Sequence, residues 1–464
     1  MEPSQTAGKV LPYMYTQCED INCRTVAPIQ DTPSNRITYS ALVVAPNTLV
    51  VKMSANETGV SAYNSTHNVA GFHMAIPIPS YLMAIAVGDL VYRSLGRRVG
   101  VITEPSQIDF VANELAEMEV LLDTTEAYIG PYIWGNYTII VLPPSFPMGG
   151  MENPLLTFAS PTIIVGDKSQ VYVATHEMAH SWTGNTITCR NWESFWLNEG
   201  FTVFLERKVS GQLYGSDFAL VEAQLGNTSL WGDMVSFGLD NTYSSLHPVL
   251  KGDNPDNSFN EVPYEKGFQT LTYLESLVGA DQFREFLRYY INANFLTSIT
   301  TIELRATWEQ WIEENYSAVE TNRILGASNW EDWIFKSTLA PSPLNFATKE
   351  AADAQALAEA YIALGGASSP ANYQDYFNFY SNLKVVFYDT LQAAGSQVSL
   401  DLLARIDADY DTTADPDPEV KQRWLPMGLT LGYTLAYPAA HTWVSSMGRC
   451  KYLTPVYVAL ENSG

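Results

Sequence analysis

The sequence predicts a multidomain α+β protein with a β-rich start, a mixed middle and a helical end. Three observations predict it. Short alternating apolar runs fill the first 90 residues, helical apolar spacing begins after Pro105, and Ala- and Leu-rich runs follow a Pro-punctuated stretch at 337–345. A chain of 464 residues fits about three domains at ~150 residues each. With 46% hydrophobic residues it has the apolar material for more than one core.

Each element has its own reason. I-T-Y-S-A-L-V-V (37–44) and Y-L-M-A-I-A-V (81–87) lie between Pro, Asn and Gly clusters and read as strands. Val111, Leu115, Met118 and Leu122 then recur at helical spacing, and Y-T-I-I-V-L (137–142) and T-I-I-V (162–165) read as strands. Ser169 is the expected N-cap of a helix to about Trp182, stopped by Gly184, and a second helix is expected from about Glu193 to Gly211. Beyond the Pro-containing stretch, 350–361, 376–383 and 398–406 read as helices, while the acidic run 407–419 reads as a solvated loop. The expected domains are 1–90, 91–336 and 349–464, with a linker at 337–348.

Charge excludes one class of partner. There are 25 basic and 50 acidic side chains, a net −25, and phosphate contacts need the opposite sign, so no nucleic acid is expected. The acid keeps a protein soluble; steering of cationic substrates is the alternative reading. Cys18, Cys23, Cys189 and Cys450 are too few for a disulfide framework, and a reduced, cytoplasmic setting follows. The start M-E-P-S-Q-T-A-G-K has no apolar h-region, and the run 81–87 is far too short to span a bilayer. The N-x-S/T triplets at Asn56, Asn64, Asn136, Asn227 and Asn315 arise readily in a chain of this composition.

The segment T-H-E-M-A-H-S-W-T-G-N (175–185) carries the chemistry. His176 and His180, four apart, fall on one helix face and can reach one ion. Glu177 lies beside them, close enough to act on the ion's water without ligating it. Zinc needs a third protein ligand and an open position, and Glu199 in W-L-N-E-G-F-T offers the ligand, eighteen residues beyond His180. Zinc lowers the pKa of bound water from ~15.7 to about 7, and Glu177 takes its proton.

Two further segments frame this site. F-P-M-G-G-M-E-N-P (146–154) has Gly149 and Gly150 for a close backbone approach, then Met151 and Glu152, a carboxylate suited to an α-ammonium group. By itself it also reads as a glycine turn with an exposed acid. V-P-Y-E-K-G-F (262–268) puts Pro263 at a helix start and Tyr264 in the first turn, where a phenol can stabilise an oxyanion or simply pack.

Together, G-G-M-E-N, H-E-x-x-H with its distant Glu, and V-P-Y-E-K-G-F resemble the gluzincin aminopeptidase family. L-P-P-S-F-P (142–147), H-S-W-T-G-N (180–185), F-W-L-N-E-G (195–200) and Q-D-T-P-S (30–34) resemble its leukotriene A(4) hydrolase branch, which is both aminopeptidase and epoxide hydrolase. The similarity runs from about Pro12 to Pro455. It implies a partial β-saddle, a thermolysin-like catalytic domain and an all-α C-terminal domain, with the first and last expected to be shortened.

The resemblance also implies one Zn2+ per chain, Glu152 as amine anchor and Tyr264 as transition-state stabiliser. It adds Asp256, matching an inner-pocket acid that matters for epoxide hydrolysis. It adds Arg449 and Lys451, matching a basic pair that binds a peptide or fatty-acid carboxylate; Thr454-Pro455 behind them reads as N-cap and N1, an anion-binding helix start. Glu19 stands where the branch usually has Gln and other gluzincins have a second amine contact. Phe259 replaces a usual Tyr, and Met148 a usual aromatic hydroxyl. The expected function is a monomeric zinc metallo-aminopeptidase acting on short peptides. The alternative is a bifunctional enzyme that also opens a fatty-acid epoxide, against which Phe259 and Glu19 weigh.

Overall fold

The computed structural model of the chain describes residues 1–339 and 344–463, so positions 340–343 of the expected linker lie outside the described residues, as does Gly464. The first part holds two three-stranded sheets. In one, His67–Pro79 lies between Arg36–Pro46 and Asn56–Ala62; in the other, Ile85–Gly88 lies between Met14–Tyr15 and Val50–Met53. Exposure alternates along Arg36–Pro46, as it does when one face of an antiparallel sheet meets solvent. Of the run 81–87 only the end is strand, because Ser80–Leu82 forms a buried 3-10 turn first.

The middle part is built on a five-stranded sheet. Its strands are β1 (Val91–Ser94), β2 (Val99–Thr103), β3 (Tyr137–Val141), β4 (Gly150–Met151) and β5 (Thr157–Ala159), in the order β4-β5-β3-β2-β1. β2 is buried along its whole length, and β4 is an antiparallel edge strand. The strand expected at 162–165 lies earlier, as β5. Pro161 has no N–H to give a ladder, and Pro161–Ile163 forms a 3-10 turn capped by the Ser160 hydroxyl.

Three helices follow: α1 (Val171–Ala179), α2 (Trp196–Tyr214) and α3 (Ser216–Phe237). α1 starts later and stops earlier than expected. The Ser169 hydroxyl has no hydrogen-bond partner among the described residues, and the chain turns at the cap residue His180. α2 also begins later, after a 3-10 turn at Trp192–Ser194, and runs through Gly211 to end at Gly215, where φ is 103°.

The last part is helical: Lys349–Leu364, α4 (Ser381–Ala394), Leu400–Tyr410, α5 (Pro418–Leu431), Ala436–Val444 and α6 (Cys450–Asn462). Three expectations are corrected here. The segment 376–383 is a 3-10 turn, Tyr373–Asn378, before α4 begins. The run 407–419 is not a solvated loop. Asp407 accepts bonds from the Thr413 amide and hydroxyl and from the Tyr433 hydroxyl, and buried Asp417 caps α5. α6 begins at Cys450 rather than at Thr454-Pro455. Pro455 lies inside it, and the Lys451 carbonyl freed by the missing N–H accepts the Gln422 amide at 3.3 Å.

One apolar core runs from Tyr13 to Ile334, and a second, from Leu357 to Ala459, belongs to the terminal helices. A small cluster of Val221, Ala351, Ala354, Leu383 and Val386 joins α3 to those helices. Among the described residues no helix is long and apolar enough to cross a membrane.

Candidate metal centre and substrate cleft

His176 and His180 sit one turn apart on α1, and Glu199 comes from the first turn of α2. Their donor atoms form a nearly equilateral triangle. The two Nε2 atoms are 3.1 Å apart, and each lies 3.3 Å from Glu199 Oε2. A tetrahedral zinc with bonds of about 2.05 Å has ligand–ligand edges of roughly 3.3 Å.

The other ring nitrogens explain why these atoms face one another. His176 Nδ1 lies 2.9 Å from Glu206 Oε2, and His180 Nδ1 lies 2.9 Å from the Thr183 carbonyl and 3.1 Å from Thr202 Oγ1. A carboxylate and a carbonyl only accept, so each Nδ1 carries the proton and each Nε2 turns a lone pair inward. Three converging acceptors without a donor repel unless a cation lies between them. The set fits a zinc ion with a position left for water, and Glu206 and Thr183 supply the outer bonds that hold the imidazoles. The surrounding acids favour a positive charge at this point, a proton or a metal ion. Burial lowers the pKa of His180, but Glu152 and Glu199 outweigh it and lift it to about 9. Burial likewise opposes Glu199, yet the two histidines hold it down at about 2.

Glu177 is buried beside this triangle, with a carboxylate oxygen in one cluster with those of Glu152 and a nitrogen of His180. Burial pushes its pKa up to about 8 against the pull of both histidines, with Glu152 and Glu199 adding to the rise. A carboxylate poised there suits proton transfer near neutral pH. Gly150 of β4 makes the room: a Cβ on it would lie 2.4 Å from Glu177 Oε1.

Glu152 follows β4 and is also buried. Its carbonyl accepts the Asn185 amide at 2.8 Å, but among the described residues its Oε1 has no hydrogen-bond partner, and neither has Glu19 Oε1. Burial raises both carboxyls, and Glu152 raises Glu19 further. Two such acids leave acceptor oxygens that a small cation would satisfy. Met151 is buried, with the Gln17 amide at 3.2 Å from its sulfur, and the Gly149 carbonyl accepts the Ser160 amide at 2.9 Å. Tyr264 stands in a π-helical turn, Val262–Lys266, of which Pro263 is the second residue. Its ring lies 6.0 Å from that of His176, and burial keeps its phenol protonated. The Gly200–Gly267 contact lets this segment approach α2; a Cβ on Gly200 would lie 2.7 Å from Gly267 Cα.

A cleft of about 700 Å³ starts at His176 and Glu177, passes Met148 and Phe259, and opens between α3 and the start of α6. Arg449, the N-cap of α6, is buried and donates to Thr162 Oγ1 at 3.1 Å and the Tyr452 hydroxyl at 3.2 Å. Lys451 also lines the cleft but is bonded to Glu419 at 2.6 Å, so the expected basic pair is half neutralised. Asp256 lies apart, exposed on the turn Pro255–Ser258 and outside the cleft lining. It lies against Asp20, whose carboxyl burial and Asp256 together push up to about 7.

Glu206 was missed by sequence reasoning, although a signal existed: it follows Glu199 by seven residues, two turns on along the same face of α2. Asp20, the Arg207–Glu265 pair and Glu222 carried no signal, since their partners come from other elements.

Known proteins carry the same patterns. The Peptidase family M1 domain matches residues 114–324, the Peptidase M1 N-terminal domain residues 4–82, and the Leukotriene A4 hydrolase C-terminal domain residues 379–464. Leukotriene A-4 hydrolase of Xenopus laevis is 36% identical over 480 residues, covering 100% of this chain and 75% of that protein. Leucine aminopeptidase 2 of Emericella nidulans is 34% identical, covering 99% of the chain and 74% of that protein. A solved structure of yeast LTA4 hydrolase in complex with Bestatin superposes with a TM-score of 0.90 at 30% identity, over 100% of this chain and 75% of its own.

Proposed function

The chain belongs to peptidase family M1, and on that premise we propose that it is a zinc aminopeptidase removing the N-terminal residue of short peptides. One observation carries the reading: the triangle of lone-pair atoms from His176, His180 and Glu199, with Glu177 and two unpartnered acids beside it. In this reading those three residues hold one ion per chain. When bound, zinc polarises the scissile carbonyl and acidifies its water. Glu177 accepts the proton of the attacking water and returns it to the leaving amine. Glu19 and Glu152 hold the α-ammonium group, so the cut falls one residue from the free end. β4 is the free edge of its sheet, and the substrate main chain lies along Gly149, Gly150 and Met151 as an added strand. The Tyr264 phenol donates to the oxygen on which charge develops. Arg449 receives the far carboxylate, with Lys451 lending charge but held by Glu419.

The separate core of the terminal helices supports a domain boundary within 336–349, whereas 1–90 and 91–336 share one core. The four unpaired thiols support a reduced, cytoplasmic setting. The fatty-acid epoxide reading is weaker. Asp256, the acid that reading needs, is exposed and outside the cleft lining, and the recess lined by Asp20, Trp192, Phe195 and Phe259 holds only about 20 Å³, space for a water molecule. Asp256→Asn, assayed on a peptide and on a fatty-acid epoxide, tests that reading; a selective loss of epoxide turnover would restore it.

The decisive experiment is hydrolysis of aminoacyl fluorogenic amides by the chain and by Glu177→Gln, with metal quantified in both. The expected result is about one zinc in each and a loss of activity of about 10²–10⁴-fold in the variant. An active, zinc-free parent or a fully active variant would overturn the proposal.

A further inference from the structure

Beyond the metal centre, the cleft wall is unbalanced in charge. Arg207 is bidentate on Glu265, at 2.7 and 2.8 Å. Arg423 meets Glu419 and Asp389, and Lys451 meets Glu419. Three acids of the same wall, Glu222, Asp233 and Glu261, make no ion pair among the described residues.

Glu222 is the sharpest case. It is 7% exposed, it belongs to the cleft lining, and neither carboxylate oxygen has a hydrogen-bond partner among the described residues. Arg207 donates to the Glu222 main-chain carbonyl at 3.2 Å and is bidentate on Glu265, so none of its hydrogen bonds reaches the Glu222 carboxylate. Such a carboxylate is costly to bury, because the donors it lost on leaving water have not been replaced. Farther along α3 the wall is formed by Gly226, Ser229 and Gly232; a Cβ on Gly232 would meet nothing within 4 Å, whereas the Glu265 carboxylate already fills the space at Gly226. Glu222 lines the same cleft as His176 and Glu206, which are bonded to each other, whereas Glu19 and Glu152 are not in that lining.

We propose that Glu222, with Asp233 and Glu261 on the approach, is a subsite for a cationic side chain on the leaving portion of the peptide, a lysine ammonium or an arginine guanidinium. This rests on the aminopeptidase reading above. The incoming group supplies the missing donors as charge-assisted hydrogen bonds. The net charge of −25 draws the same peptides toward the cleft.

The test compares Leu-Gly-Gly, Leu-Lys-Gly and Leu-Gly-Lys with norleucine in place of each lysine, on the parent and on Glu222→Gln. The expected result is a KM about tenfold lower for lysine than for norleucine at one of the two positions, the size of one charge-assisted hydrogen bond. In Glu222→Gln the ratio falls toward unity, and an arginine peptide behaves as the lysine one does. Equal KM values for lysine and norleucine in the parent, with Leu-Gly-Gly cleaved, would overturn the subsite alone. A ratio unchanged in a folded Glu222→Gln would also overturn it. No cleavage of any peptide, Leu-Gly-Gly included, would overturn the aminopeptidase reading and the subsite with it.

Discussion

Replacing Gly150 by alanine tests whether Glu177 works by position. The added methyl would lie 2.4 Å from Glu177 Oε1 and 2.5 Å from its Cγ and Cδ, while ordinary contact begins at 3.4 Å. The glycine is on a paired edge strand, so β4 does not yield easily, and the carboxylate retreats by about 1 Å. A displacement of that size costs about a hundredfold in rate when the group must meet a reacting proton. No metal donor is touched, so zinc should stay bound. The assay is kcat/KM on an aminoacyl amide, with metal content and a melting curve for Gly150→Ala beside the parent. The expected result is a drop of about two orders of magnitude with zinc retained and the fold intact. Activity within about threefold of the parent, or loss arising only from lost zinc, would refute the reasoning that the Gly150–Glu177 contact sets the base.

Three further predictions follow from contacts at increasing distance from the metal. Glu206→Gln weakens the orientation of His176, and competitive chelator titration should show zinc bound about 10–100-fold more weakly; unchanged affinity would mean His176 needs no such support. Arg207→Ala leaves Glu265 buried without its bidentate partner and should cost about 3–5 kcal/mol in denaturant unfolding, while Arg207→Met with Glu265→Met recovers most of it; equal stabilities of single and double variants would contradict this. Burial lowers Lys266 from 10.5 to about 7, its Nζ donating to the Lys336 carbonyl. Between those values the unfolded chain binds the extra proton. Stability therefore rises with pH across that window, and the contribution present at high pH is lost as pH falls through about 7. Lys266→Met should flatten that slope in unfolding curves at pH 7 and 10; parallel slopes would refute it.

Much of the site was legible because its residues are bound by local periodicity. His176, Glu177 and His180 occupy one helical turn, and no tertiary contact is needed to put the two imidazoles on one face. The helix ends were less legible. Pro161 ended a strand reading that apolar content alone suggested, and Pro455 was tolerated inside α6 because Gln422, from another helix, satisfies the freed carbonyl. The acidic run 407–419 looked solvated because several of the donors to its carboxylates lie elsewhere in the chain, Ser381, Tyr361 and Tyr433 among them.

By itself the sequence determined the chemistry that three short segments can perform: two imidazoles and a carboxylate for a metal, an acid for proton transfer, glycines ahead of another acid. These are properties of residue type and spacing within one or two turns, where chain geometry leaves little choice. Only the tertiary structure decided which charges remain unpaired. Among the described residues it neutralised Lys451 with Glu419, left Arg449 without a carboxylate, set Asp256 against Asp20 outside the cleft, and buried Glu222 without a donor. Partners in those cases stand far apart in the chain, and a charge's worth depends on which groups burial brings within a few ångströms of it.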